Sequence, residues 1–329
     1  MTRIIRPAAL KRLKDTYRSD GVLLPRIERH VMKTPQLDVR PDDHSLEFMH
    51  PSDMAKPDWC PRHDYYRIVG TSVGRVARVN PNFRMENVLA EGHTIHDKYQ
   101  RWLWEMGVLW GMWLCLECGH RFGALSPKVC QFCLSTRIIY KELPLRRNQM
   151  KVEGHADAAV HAEWFRGLVE VKSIGIQTLR FEAPRLYNRY QDGESAEDIW
   201  WKIQRPFGSH LRQGMLYLWM AWPTYEQIVF IYESKFHQQT KEFVVQYNRN
   251  LIEPILEQVK AVSHSVKSGT PPERPSWAED AVSKVCVSCV YRSTCWQLGA
   301  NVDTEADDPP KVLVRRARSV TRRRALLKA

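Results

Sequence analysis

Two short runs hold the densest chemistry in this sequence: Glu153-Gly-His-Ala-Asp157 and, twelve residues later, Glu170-Val-Lys172. In an extended strand, side chains two apart share a face. Glu170 and Lys172 therefore point the same way, and Asp157 on a neighbouring strand meets them. Two carboxylates and an ammonium converge. Hard oxygen ligands in that arrangement bind Mg²⁺ or Mn²⁺; the ion polarises a scissile phosphate and helps generate hydroxide, and the lysine supplies a fixed positive charge. An isolated E-x-K run is ordinarily just an exposed strand face, so its neighbours in the sequence decide its meaning.

The eight cysteines fall into two groups. Cys115-Leu-Glu-Cys118 and Cys130-Gln-Phe-Cys133 are C-x2-C pairs with eleven residues between them, each followed by a turn-forming residue (Gly119, Ser135). That is zinc-ribbon spacing: two sulfurs from each knuckle complete a closed tetrahedral Zn²⁺ site. The others are Cys60, far upstream, and Cys286, Cys289 and Cys295 near the end. C-x2-C-x5-C plus one distant cysteine suits an iron-sulfur cluster, which accepts thiolates from unevenly spaced segments. Zinc is the rival at this second site, because thiolate ligation alone does not distinguish the metals.

The elements that must position these groups follow from periodicity. Apolar residues at three- and four-residue steps predict an amphipathic helix over 85–113, running into the first knuckle. Short β-rich runs at 137–140, 150–153, 156–162 and 168–171 read as strands. A basic, aromatic connector at 180–190 leads to a second long helix over 197–220. Strands at 227–232 and 242–247 follow, then a helix at 251–266 and a break at 268–275. Residues 1–50 mix prolines and charges and predict an irregular extension with at most a short helix near 8–17. The run 311–329 holds eight basic side chains and no acid, after an acidic patch at 303–308; such a tail reads as a solvated arm able to contact phosphates.

Composition narrows the function classes. Lysine and arginine number 49 against 37 acids, a net charge of +12, which favours a polyanionic partner, nucleic acid first. Twelve tryptophans and 43% apolar residues exclude a disordered chain. The longest apolar run, 216–222, is too short to span a bilayer, so no membrane role is expected. The basic N-terminus has no apolar signal stretch behind it, so the chain is expected to stay in a reducing cytoplasm, where disulfides are rare.

Taken with its neighbours, the acidic core resembles the PD-(D/E)XK nuclease superfamily, and within it the RecB-like exonuclease branch that includes the CRISPR-associated iron-sulfur exonucleases and their phage-encoded relatives. Glu91-Gly-His-Thr-Ile-His96 is similar to the branch's G-x-x-x-H motif, with His93 one turn away as an alternative to His96. Gln213-Gly-Met-Leu-Tyr217 is similar to its Q-x-x-x-Y motif, although residues four apart on a helix face alike through packing alone. Cys60, followed by Pro61, Arg62 and an aromatic pair, resembles the family's first cluster cysteine, and Cys286, Cys289 and Cys295 match its terminal triplet. Ala156 stands where the superfamily has its naming proline, and the Cys115–Cys133 knuckle is an insertion where simpler members have a short link.

The resemblance implies an α/β, restriction-endonuclease-like fold, a mixed central sheet flanked by helices. It implies a nuclease domain over 51–300 with a zinc ribbon inserted at 113–136, an iron-sulfur staple, and charged ends at 1–50 and 301–329. It implies a metal-dependent DNA exonuclease acting on single strands or free ends, with 5′-to-3′ polarity. His96, Asp157, Glu170 and the Val171 carbonyl would hold Mg²⁺ or Mn²⁺. Lys172 would orient water or neutralise charge, and Gln213 and Tyr217 would hold DNA or the lysine. Cys60, Cys286, Cys289 and Cys295 would hold a 4Fe-4S cluster. The alternatives are a noncatalytic DNA-binding module, or an end-processing subunit working with recombination or CRISPR-adaptation proteins.

Overall fold

The computed structural model describes residues 23–33, 46–71, 83–278 and 280–298. The helix expected near 8–17, the acidic patch at 303–308 and the basic run at 311–329 lie outside these residues. The extension expected to be irregular holds α1 (Leu24–Lys33), whose Pro25 falls in the first turn, where a missing N–H costs nothing. Two short helices, α2 (Pro51–Met54) and α3 (Pro61–Ile68), begin on proline itself. They lead to the 23-residue α4 (Phe83–Glu105).

Here the periodicity misled. The helix expected over 85–113 stops at Glu105, because Gly107 takes a left-handed φ of 81° that ends the helix. The chain re-emerges as β1 (Leu109–Cys115), with alternate residues buried, followed by β2 (Arg121–Leu125) and β3 (Ile138–Tyr140). Next come β4 (Leu143–Arg147), which had no counterpart among the expected strands, then β5 (Val152–Ala156), β6 (Ala158–His161) and β7 (Arg166–Ile174). The expected connector at 180–190 is helical, as α5 (Ile176–Glu182) and α6 (Pro184–Gln191). The single helix expected over 197–220 is two, α7 (Ala196–Trp201) and α8 (Gly208–Ala221). Pro206 lies between them and cannot donate to a continuing helix. The chain continues through β8 (Gln227–Ser234), β9 (Thr240–Gln246), α9 (Glu253–Ser268), α10 (Lys284–Val287) and α11 (Arg292–Trp296).

The strands build a mixed seven-stranded sheet in the order β2-β1-β6-β7-β8-β9, with β3 also paired to β1, and a separate β4-β5 ladder. β7 and β8 run parallel, joined through the helices α5 to α8, and the other pairs are antiparallel. Alternation along β7 and β8 feeds two apolar layers. Leu168, Ile174, Ile228 and Phe230 pack with Met215 and Leu216 of α8. Val169, Val171 and Val229 pack on the opposite side with Ile95 of α4. α8 lies so close to β8 that a Cβ on Gly214 would sit 2.4 Å from the Phe230 ring, which explains a glycine inside a buried helix. Helices thus flank a mixed central sheet, the α/β class expected. Among the described residues, no helix is long and apolar enough to cross a membrane.

Candidate active site and cysteine centres

Asp157 occupies the single residue between β5 and β6, and β6 pairs with β7, so the aspartate reaches the strand that carries Glu170 and Lys172. Its Oδ2 accepts a 2.7 Å hydrogen bond from the Val171 N–H, and Gln100 of α4 donates to its backbone carbonyl at 2.9 Å. These bonds fix the carboxylate, and its Oδ1 lies 3.1 Å from His96 Nδ1. His93, the alternative on the same helix, is exposed. Of the two histidines, the fold brings His96 to the aspartate.

Glu170 and Lys172 share a face of β7, as period-two alternation requires, and their Oε1 and Nζ are 2.7 Å apart. Lys172 also donates to Gln213 Oε1 at 3.0 Å, and Gln213 Nε2 donates to the Tyr217 hydroxyl at 2.9 Å. α8 therefore meets β7 through one chain of polar contacts, Glu170 to Lys172 to Gln213 to Tyr217. Tyr217 lies against β5: a Cβ on Gly154 would come within 2.9 Å of its ring. Glycine at this position in Glu153-Gly-His-Ala-Asp157 makes room for the ring.

The electrostatics are those of two carboxylates in one buried place. Glu170 is 2% exposed; burial, reinforced by the Asp157 charge, pushes its pKa up to about 7 against the pull of Lys172 and His96. Burial also raises Asp157, but the His96 charge and hydrogen bond, Lys172 and the Val171 N–H outweigh it, so Asp157 titrates below its ordinary value. Burial lowers His96, yet Asp157 and Glu170 raise it more, and its net shift is upward. Burial likewise lowers Lys172, and the two carboxylates raise it above the ordinary lysine value. Glu170 Oε2 is buried with no hydrogen-bond partner. A buried carboxylate oxygen without a donor is costly and suits a cation, so the donor set fits a hard divalent ion.

Among the described residues, two sets of potential ligands bring all their atoms within 4.8 Å of one another: Cys115, Cys118, Cys130 and Cys133, and His96, Glu142 and Asp157. No sequence motif marks Glu142, which enters from the turn between β3 and β4. In the first set, Cys115 Sγ lies 3.5 Å from Cys133 Sγ, and Cys118 Sγ lies 3.7 Å from Cys130 Sγ. A tetrahedral ion with Zn–S bonds near 2.3 Å has S···S edges of about 3.8 Å, so these sulfurs fit one ion. The Cys118 backbone N–H, aimed at the Cys115 sulfur, helps hold that thiol down at about 6.

The split cysteines, all among the described residues, form no such tight set. Cys60, Cys286, Cys289 and Cys295 instead line one cavity of about 820 Å³. Cys60 immediately precedes α3, and Cys286 and Cys295 belong to α10 and α11. Burial raises the Cys60 and Cys289 thiols, Cys289 to about 11, with neighbouring sulfurs adding to both shifts. Sulfurs spread around a cavity suit a multi-iron cluster better than a single ion, because a cluster's thiolates attach to separate irons.

No family model matches the chain, and no curated protein matches it. Among solved structures it is similar to an alkaline exonuclease, LHK-Exo, from Laribacter hongkongensis, at 11% identity and a TM-score of 0.36, over 68% of this chain and 90% of that one. LHK-Exo in complex with dAMP aligns at 12% identity and a TM-score of 0.35 over the same shares. SSO0001 aligns at 12% identity and a TM-score of 0.35, over 84% of this chain and 96% of that one. Likenesses this distant carry no inference about activity, which has to come from the geometry of the site.

Proposed function

We propose that the chain is a divalent-cation-dependent deoxyribonuclease that hydrolyses phosphodiester bonds. The observation that carries this reading is the buried, connected network of His96, Asp157, Glu170, Lys172, Gln213 and Tyr217, in which Glu170 Oε2 lacks a donor. His96, Asp157, Glu170 and the Val171 carbonyl would hold the cation. A cation bound there supplies Lewis acidity to the phosphate and a water of lowered pKa. Asp157 is held for that task by the Val171 N–H. Lys172, with a side chain 20% exposed beside Glu170, keeps its proton and places a positive charge where negative charge develops on the phosphate oxygens. Gln213, backed by Tyr217, fixes the lysine's position. The net charge of +12 favours a polyanionic partner such as nucleic acid. The family resemblance extends the reading to exonucleolytic cleavage of single-stranded DNA or free ends, running 5′ to 3′, by a domain spanning 51–300.

The same reading assigns Zn²⁺ to Cys115, Cys118, Cys130 and Cys133, on the S···S edges of 3.5 and 3.7 Å. It assigns a 4Fe-4S cluster to Cys60, Cys286, Cys289 and Cys295, on their spacing around a shared cavity.

The test is cleavage of end-labelled single- and double-stranded DNA, with and without Mn²⁺, by wild type, Asp157→Asn and Lys172→Met. Cation-dependent cleavage should fall at least about 100-fold in each variant, while DNA affinity, supplied by phosphate contacts elsewhere, is retained. A variant cleaving at the wild-type rate would remove the site. Wild-type protein that binds DNA but cleaves none with any divalent ion would make the chain a binding module.

A further inference from the structure

The basic, aromatic segment at 180–190 takes no part in the network around Lys172, yet the fold brings it to the rim of that centre. α5 follows β7 after the single residue Gly175, and Ser209 in the first turn of α8 donates to the Glu182 carboxylate at the end of α5. Ser209 and Gln213 are four apart on α8 and share a face, so the end of α5 is docked one helical turn from the residue that holds Lys172. Burial lowers Lys172 and Glu170 and Asp157 raise it; Glu182 adds to the rise, which puts the end of α5 in the field of the same centre. Leu179 anchors α5 in the core. Phe181, two residues on, is turned away by the helical period and is 78% exposed. The Arg180 guanidinium lies 5.8 Å from its ring centroid. Arg185, exposed in the first turn of α6, has no carboxylate partner among the described residues, whereas Arg189 is tied to Glu194 at 2.5 Å.

An isolated exposed ring is ordinary on a protein surface. This one stands between two arginines that no carboxylate neutralises, at the rim of a centre suited to phosphate chemistry. We propose that Phe181 is a stacking platform for a base of single-stranded DNA, with Arg180 and Arg185 contacting neighbouring phosphates. Charge and shape identify the occupant. Unpaired arginines call for an anion, and a flat apolar ring beside them calls for an anion that also carries flat faces, as a nucleic acid strand does. Within a duplex each base face is covered by its neighbours, so only a single strand or a frayed end can lay a base on the ring. Phe181 thus sets which strands are accepted and touches no reacting atom. The proposal deepens the nuclease reading and rests on it for the choice of DNA, but its measurement needs no cleavage.

Binding to the full chain is followed by fluorescence anisotropy with no divalent ion added, using a labelled single strand of about 12 nucleotides, the same length of strand with every base replaced by an abasic sugar, and a blunt duplex. Phe181→Ala, with wild-type circular dichroism, should bind the natural strand about tenfold less tightly and the abasic strand and the duplex as wild type does. Phe181→Trp, which keeps an aromatic face, should bind all three as wild type does. Arg180→Gln with Arg185→Gln should weaken the natural and abasic strands alike and flatten the plot of log affinity against log salt by about 1.4, at about 0.7 for each phosphate contact. Wild type that binds natural and abasic strands equally, or Phe181→Ala that loses nothing or loses equally on both, would overturn the proposal and leave the ring to a protein partner. A Phe181-dependent preference for the natural strand in a protein that cleaves no DNA would leave the platform standing and defeat the nuclease reading instead.

Discussion

What each site residue can do here depends on a contact one layer further out. Lys172 is an effective charge because Gln213 holds it, Gln213 is held by Tyr217, and Tyr217 lies against β5 because residue 154 has no side chain. Gly154→Ala tests this chain of support. The added methyl would sit 2.9 Å from both the Tyr217 ring and Pro51 Cδ, so the ring must move. Overpacking of this kind costs about 1–3 kcal/mol, and a displacement near 1 Å in a positioning group costs about 100-fold in rate. Thermal melts should show the lost stability and single-turnover cleavage the lost rate, with Mn²⁺ binding unchanged. Full activity in a destabilised Gly154→Ala would detach Tyr217 from the reaction. At this scale, the side-by-side placement of Glu170 and Lys172 was legible, since alternation on one strand is a local property. Glu142 was not, because a single acid in a left-handed turn has no spacing partner, and its approach to His96 is made by the pairing of β1 with β3.

The elements show where periodicity fails and why. Residues 85–105 carry a helical period, but 108–113 is almost continuously apolar and fits the end of that helix as well as a strand, so Gly107 decides the boundary. β1 then serves two structures. Leu109 and Trp110 pair with β6, next to Asp157, while Trp113 to Cys115 pair with β3 inside the cysteine ribbon. The ribbon is therefore built on the outer end of a strand of the central sheet. If the four thiolates hold the proposed Zn²⁺, removing two of them, as in Cys118→Ser with Cys133→Ser, should release it and leave the inner end in place. Hydrogen exchange should accelerate over 113–138, with the parallel β7–β8 ladder as protected as in wild type. Equal loss of protection in β7 and β8 would mean that the ribbon holds the whole sheet together, and no loss over 113–138 would mean that no metal stabilises it.

Across the whole molecule, the question is what joins the beginning of the fold to its end. α3 packs against α9, and beyond α9 the Tyr291 ring meets His63 at 5.2 Å and Tyr66 at 5.6 Å, both on α3. Asp64 between them is buried, accepting from Trp59 at 2.8 Å and from Arg67 at 2.7 Å. The sequence makes the link between Cys60 and the terminal triplet legible, because four thiols are left over once the ribbon is complete; the ring packing that brings them together is tertiary and has no local pattern. A cluster bound at these four sulfurs closes a loop of about 226 residues between Cys60 and Cys286, and such closures stabilise by restricting the unfolded chain. Protein purified without oxygen should therefore be brown, with iron and one zinc per chain. Cys286→Ala should lose most of the iron and the colour, melt at lower temperature, and become open to protease near 284–296, while keeping its zinc. A colourless wild-type protein with two zinc ions and no iron, prepared from cells able to assemble clusters, would replace the cluster with a second zinc site, a substitution that thiolate ligands permit. A brown protein whose iron survives Cys286→Ala would instead move the cluster away from this seam, leaving the ring contacts alone to join the two ends.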